Sequence, residues 1–168
     1  MDKFISMKKL LLLWLTLTCS LLVFSQHVKP AEWTFAVGED KVETAGEIEL
    51  VFTTDIVEGG QIYSSDFGDC PPIKAKIEFA ESEKWVAVDE LKPIGAHKYT
   101  NDIFEYEVSA FKEKAELRQT IKVLEPSLTI EGKLTYQICT KEGYCVLFNF
   151  PFKAQFKEGV KIETELSN

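Results

Sequence analysis

One stretch limits the folds open to this chain more than any other: Leu128 to Phe156, LTIEGKLTYQICTKEGYCVLFNFPFKAQF. Read with period two, its first half sets Leu128, Ile130, Gly132, Leu134, Tyr136 and Ile138 on one side. Its second half does the same with Val146, Phe148, Phe150, Phe152, Ala154 and Phe156. Two alternating runs joined by a short glycine-containing segment predict a β-hairpin. Placing Cys139 opposite Cys145 then pairs each apolar residue of one strand with an apolar or small residue of the other, from Ile138–Val146 to Leu128–Phe156. On the other face the same register opposes Thr135 to Asn149, Thr129 to Gln155, and Glu131 to Lys153 as an ion pair. A slip of one residue would undo every match, so the pattern specifies the register.

That register has a chemical consequence. Opposed residues of an antiparallel pair have Cα atoms about 4.5 to 5.5 Å apart, within reach of a disulfide. Cys139 and Cys145 can therefore bond across the neck of the loop Thr140 to Tyr144. Their odd numbers place them off the core-facing set and towards solvent, where thiol–disulfide exchange with another protein has access to sulfur. The competing reading is a structural clip. For a seven-residue span the chain-entropy model allows only about 2.4 kcal/mol, so a bridge meant for stability would do more by joining distant segments.

The rest of the chain reads as short strands separated by turns. Trp33 to Val37, the alternation around Ile48, Leu50 and Phe52, Gln61 to Ser64, Ile73 to Phe79 and Trp85 to Val88 are each predicted strands. Two more follow at Phe104 to Ala110 and Leu117 to Val123, with room for one helical turn at Lys112 to Glu116. Leu91 to Asn101, with Pro93, Gly95 and His97, reads as an exposed loop, and Lys157 to Asn168 as a polar tail. Eight or nine strands at this spacing predict an all-β fold, an immunoglobulin-like two-sheet antiparallel sandwich.

The first 25 residues stand apart from that domain. Lys3, Lys8 and Lys9 precede an apolar run from Leu10 to Phe24, and Val23-Phe24-Ser25 offers a cleavage site, so residues 1–25 read as a signal peptide and 26–168 as one domain. The run is short for a membrane span, and Thr18 before Cys19 fits lipid attachment poorly. Export implies an oxidising compartment in which disulfides persist. Asp2 and the three lysines leave with the leader, so 16 basic residues face 26 acidic ones, net −10. That balance argues against nucleic acid or an anionic membrane surface as partner. Cys70, Cys139 and Cys145 remain, an odd number, with Cys70 in the stiff Asp69-Cys70-Pro71-Pro72 turn. His27 and His97 are the two histidines, Met1 and Met7 leave with the leader, and no phosphate loop or metal motif is present. No cofactor is expected.

The run Gly132-x-x-x-Tyr136-Gln137-x-Cys139-x-x-x-Gly143-Tyr144-Cys145 resembles the amino-terminal periplasmic domain of the thiol:disulfide interchange protein DsbD family. Ile62-Tyr63-Ser64 after Gly59-Gly60, and Trp33-Thr34-Phe35, are similar to that family too. The resemblance implies an immunoglobulin-like sandwich with redox cysteines on its last hairpin. It also implies a relay of electrons from a thioredoxin-like donor to oxidised periplasmic proteins. Within it Cys145 would form the mixed disulfides, Cys139 would resolve them, Tyr63 would lie near the sulfurs, and Leu91 to His97 would supply a shielding cap. The chain departs from the family in lacking a clear cap aromatic, where Pro93 or Ile94 stands, and in carrying Val146-Leu147 where prolines often follow the second cysteine. DsbD continues into membrane helices and a thioredoxin module that this sequence does not contain, so the donor is expected on a separate membrane reductant.

Overall fold

The computed structural model describes residues 28–69, 71–101 and 105–165. The predicted signal peptide, His27, Cys70 and Phe104 lie outside the described residues.

Alternating side chains build twelve strands among the described residues, arranged as two antiparallel sheets. The first sheet holds β1 (Thr34–Val37), β2 (Glu47–Asp55), β9 (Lys114–Val123) and β5 (Trp85–Ala87) in that order. The two-residue strand β6 (Lys92–Pro93) also pairs with β9. The second sheet runs β12 (Val160–Glu165), β11 (Cys145–Lys157), β10 (Leu128–Thr140), β3 (Gly60–Tyr63), β8 (Tyr106–Phe111), β7 (His97–Asn101), with β4 (Lys76–Phe79) also on β10.

The long hairpin forms in the register that its sequence specifies, from Leu128↔Phe156 to Cys139↔Cys145. Thr135 donates its hydroxyl hydrogen to Asn149 Oδ1 at 2.8 Å. Glu131 and Lys153 stand opposite one another, while the neighbouring Lys133 pairs with Glu78 of β4 at 2.8 Å.

The core lies between the sheets, as two inward faces of period-two strands require. Phe52, Leu50, Leu117 and Ile121 of the first sheet meet Ile130, Leu134, Tyr136 and Phe152 of the second, all buried. Phe152 joins the layers, its ring centroid 4.8 Å from those of both Phe35 and Phe52. It fits because Gly132 lies opposite: a Cβ there would stand 2.9 Å from Phe152 Cζ and 2.7 Å from Glu78 O. Along β11, Phe152, Ala154 and Phe156 are buried, Phe148 and Phe150 are half-buried, and Val146 is exposed. Towards the tip β11 therefore becomes exposed, while β10 stays buried through Ile138 and Cys139.

Three segments differ from their sequence reading. Residues 157–165 do not remain a tail, since Val160–Glu165 adds a strand to β11 across a register shift at Gln155/Phe156. Nor is Leu91 to Asn101 a free loop. Lys92–Pro93 bonds to β9 and His97–Asn101 forms a hairpin with the adjacent β8; with the turn formers Pro93 and Gly95 among them, strands this short and polar show no apolar period of their own. The helical turn allowed at Lys112 to Glu116 is absent. Strand β9 begins at Lys114 and pairs there with Asp55 of β2.

Candidate functional site

The hairpin tip turns through Thr140 to Tyr144. Thr140 N–H donates to Tyr144 O at 2.9 Å and Gly143 N–H to Thr140 O at 3.0 Å. Gly143 adopts φ +86°, a left-handed conformation suited to glycine. The tip is also tied sideways to the β2–β3 loop, where Lys141 N–H donates to Gly59 O at 3.1 Å. Cys139 and Cys145 are bridged by a disulfide at the neck of this turn, their Cα atoms 4.1 Å apart.

The two sulfur-bearing residues are not equivalent. Cys145 is exposed, as its odd position predicts. Cys139 is only 2% exposed and departs from that prediction. Parity places Cys139 on the outer face of its sheet, but here that face is covered. Tyr63, Val108 and Ala110 are buried with it in a second small cluster, on which Phe67, Tyr99 and Tyr106 pack. The segment following β3 closes over the same face. Tyr63 and Phe67 meet edge to face at 6.1 Å, and Ile73 N–H donates to the Gln137 side-chain oxygen at 2.7 Å.

Tyr63, expected near the sulfurs from the resemblance, does share that cluster with Cys139. Burial pushes its phenol well above the ordinary value of 10, and the hydrogen bond with Tyr99 adds to the effect. It stays neutral through the physiological range. The expected cap does not lie over the bridge. Leu91 and Ala96 pack against the main core, and Lys92 and Pro93 are held by Arg118 and Leu117. Tyr99, Thr100 and Asn101, a few residues further on, line the open groove of about 950 Å³ that reaches both cysteines.

Sequence reasoning did not single out Gln61 and Tyr99. Gln61 sits directly across the ladder from Cys139, so Cys139 has Cys145 on one side and Gln61 on the other. Its Nε2 donates to the Tyr63 hydroxyl at 2.9 Å, and its Oε1 accepts from the Tyr99 hydroxyl at 3.4 Å. Alternation alone puts Gln61 and Tyr63 on one face of a strand. The non-local pairing of that strand with β10 was the missing piece. His97 is exposed on β7, and among the described residues no group of three or more His, Cys, Asp or Glu side chains could hold a metal ion.

The family model for the amino-terminal domain of the thiol:disulfide interchange protein DsbD matches residues 26–157. Among solved structures the chain is similar to the amino-terminal domain of Neisseria meningitidis DsbD in its reduced form, with a TM-score of 0.50 and 13% identity. That alignment covers 79% of this chain and 90% of the other. It is also similar to the N-terminal periplasmic domain of ScsB from Proteus mirabilis, with a TM-score of 0.51 and 12% identity, over 80% of this chain and 51% of that one. At such identities the likeness concerns the fold. No curated protein matches the chain.

Proposed function

The chain belongs to the family of DsbD amino-terminal domains, and from that premise we propose that it is a periplasmic dithiol/disulfide carrier working through Cys139 and Cys145. The donor is the thioredoxin-like domain of a membrane reductant, and the acceptors are oxidised periplasmic proteins. The leader at residues 1–25 would deliver the chain to that compartment.

One observation carries the reading: the bridge offers a partner one exposed cysteine, Cys145, while Cys139 is buried within the tyrosine cluster. Exchange needs an approach to the sulfur under attack. In the loading direction, a donor thiolate attacks Cys145 Sγ and the Cys139–Cys145 bond breaks, leaving Cys139 as a thiolate that takes up a proton. A second donor thiolate then attacks its own sulfur in the mixed disulfide, and Cys145 leaves reduced. In the delivery direction, the Cys145 thiolate attacks an acceptor disulfide. Cys139, having lost its proton to solvent, then attacks Cys145 Sγ, which restores the bridge and releases the acceptor as a dithiol. Two electrons move in each half, and no cofactor is required.

Tyr63 contributes by covering the inner sulfur. Its neutral phenol adds no charge beside a forming thiolate, and its ring keeps small thiols from Cys139. The test is trapping. A Cys139→Ser variant should accumulate a mixed disulfide with a thioredoxin-like protein through Cys145, and a Cys145→Ser variant should not. A reduction potential of the pair below about −300 mV, the range of structural bridges, would overturn the proposal.

A further inference from the structure

The exchange reading above leaves open how the resolving sulfur is made reactive inside an apolar cluster, where burial disfavours a thiolate. The described residues of that cluster are Tyr63, Val108, Ala110 and Cys139, with Phe67, Tyr99 and Tyr106 packed on it, all of them uncharged at neutral pH. One polar side chain is nonetheless set beside Cys139 by the sheet itself. Gln61 is its ladder partner on β3, and directly opposed residues have Cβ atoms about 4.5 to 5.5 Å apart. Both residues line the same groove.

A primary amide carries two N–H hydrogens. One of those on Gln61 is committed to the Tyr63 hydroxyl at 2.9 Å, and the Tyr99 hydroxyl holds the amide oxygen at 3.4 Å. The two tyrosines thereby fix the amide plane from β3 and from β7. We propose that Gln61 is the hydrogen-bond donor to the resolving sulfur: when the bridge is open, its second N–H turns to Cys139 Sγ and stabilises the thiolate. The inference rests on the exchange reading. The step it assists is the last one of delivery, in which the Cys139 thiolate attacks Cys145 Sγ, the Cys139–Cys145 bond forms, and the partner sulfur leaves as a thiolate. The donor bond is released as the negative charge passes to the leaving sulfur.

A hydrogen bond to a charged atom shifts a thiolate fraction by roughly ten- to a hundredfold. Nucleophilicity falls with basicity at a slope of about one half, so about the square root of that gain survives in the rate. Resolution should therefore slow roughly three- to tenfold when the donor is lost.

Two substitutions separate this role from packing. Gln61→Glu keeps an acceptor for both tyrosine hydroxyls but has no hydrogen to give to sulfur. Gln61→Met removes the donor and the tether together. The readouts are the decay of a preformed mixed disulfide between Cys145 and a thioredoxin-like protein, and the rate at which dithiothreitol reduces the intact bridge. Both variants should slow the decay at least about threefold, and only Gln61→Met should speed reduction by dithiothreitol. Decay at the wild-type rate in Gln61→Glu would overturn the donor role and leave Gln61 a tether. If the wild-type protein and Cys139→Ser form no mixed disulfide at all, the exchange reading itself fails, an outcome distinct from either variant result.

Discussion

Opening the Cys139–Cys145 bridge should cost the folded domain little, and the amount can be bounded. The bridge closes a span of seven residues, six apart in sequence. By loop-closure entropy this restricts the unfolded chain by about 2.4 kcal/mol at most, and any residual turn in the unfolded ensemble lowers that figure. The native state does not rely on the bridge to hold the strands together, because the ladder from Leu128 to Cys139 pairs with β11 throughout and the tip is fastened to Gly59. A thermodynamic cycle turns this bound into a redox statement. Whatever the bridge adds to folding, folding adds to the bridge. At 30 mV for each 1.4 kcal/mol, about 2.4 kcal/mol lowers the potential of the pair by roughly 50 mV relative to the same cysteines in the unfolded chain. Urea unfolding of the oxidised and reduced protein, in a Cys70→Ser background, gives the first quantity. Equilibration with a thiol buffer, with and without denaturant, gives the second. A stability gap of about 4 kcal/mol or more, with the matching fall in potential, would refute the reasoning and identify a clip on which the fold depends.

Gly132→Ala should destabilise the domain by about 1–3 kcal/mol, the usual cost of overfilling a packed core, because the new Cβ meets Glu78 O and Phe152 Cζ within 3 Å; denaturant titration reads it, and an unchanged midpoint would contradict the close packing. In the reduced protein, iodoacetamide should modify Cys145 well before Cys139, since one is exposed and the other 2% exposed; peptide mapping over time checks the order, and equal rates would remove the asymmetry. The hydrogen bonds and charges of Lys133 and Lys76 hold the exposed Glu78 carboxyl at about 2, below its usual 4.5. Its folded-state pKa is depressed, so any stability it adds is present above pH 4.5 and disappears as the pH falls towards 2; its side-chain resonance should titrate near 2 and move upward in Lys133→Met.

The hairpin was legible because its information is local and redundant. Six apolar pairs and a cysteine pair all demand one register, and a five-residue turn brings the two strands directly against each other. The same reasoning found most other strands from alternation. It stopped at Lys92–Pro93, His97–Asn101 and Val160–Glu165, whose pairing partners at Leu117, Val108 and Gln155 supply the order that their own residues do not. Short polar strands carry too few apolar positions to display a period, so only the sheet they join reveals them.

The site shows the same division, with a consequence for mechanism. Parity correctly set both cysteines on the outer face of the hairpin, and on an isolated hairpin that would expose both. What parity does not contain is the rest of that face. Beside β10 the sheet continues into β3 and β8, and their outer residues Tyr63, Val108 and Ala110 build a second buried layer at Cys139. Beside Cys145 no such layer forms among the described residues, because β12 pairs with β11 only at Lys153 to Lys157, and Val146 and Leu147 are exposed. The inequality of the sulfurs thus arises from where β10 and β11 stand in the sheet rather than from their own sequence. It would give exchange a direction: an incoming thiolate meets Cys145 first, and Cys139 acts only on a sulfur already held beside it. A carrier with two open sulfurs could be attacked at either, and would then leave its partner bound to the wrong one.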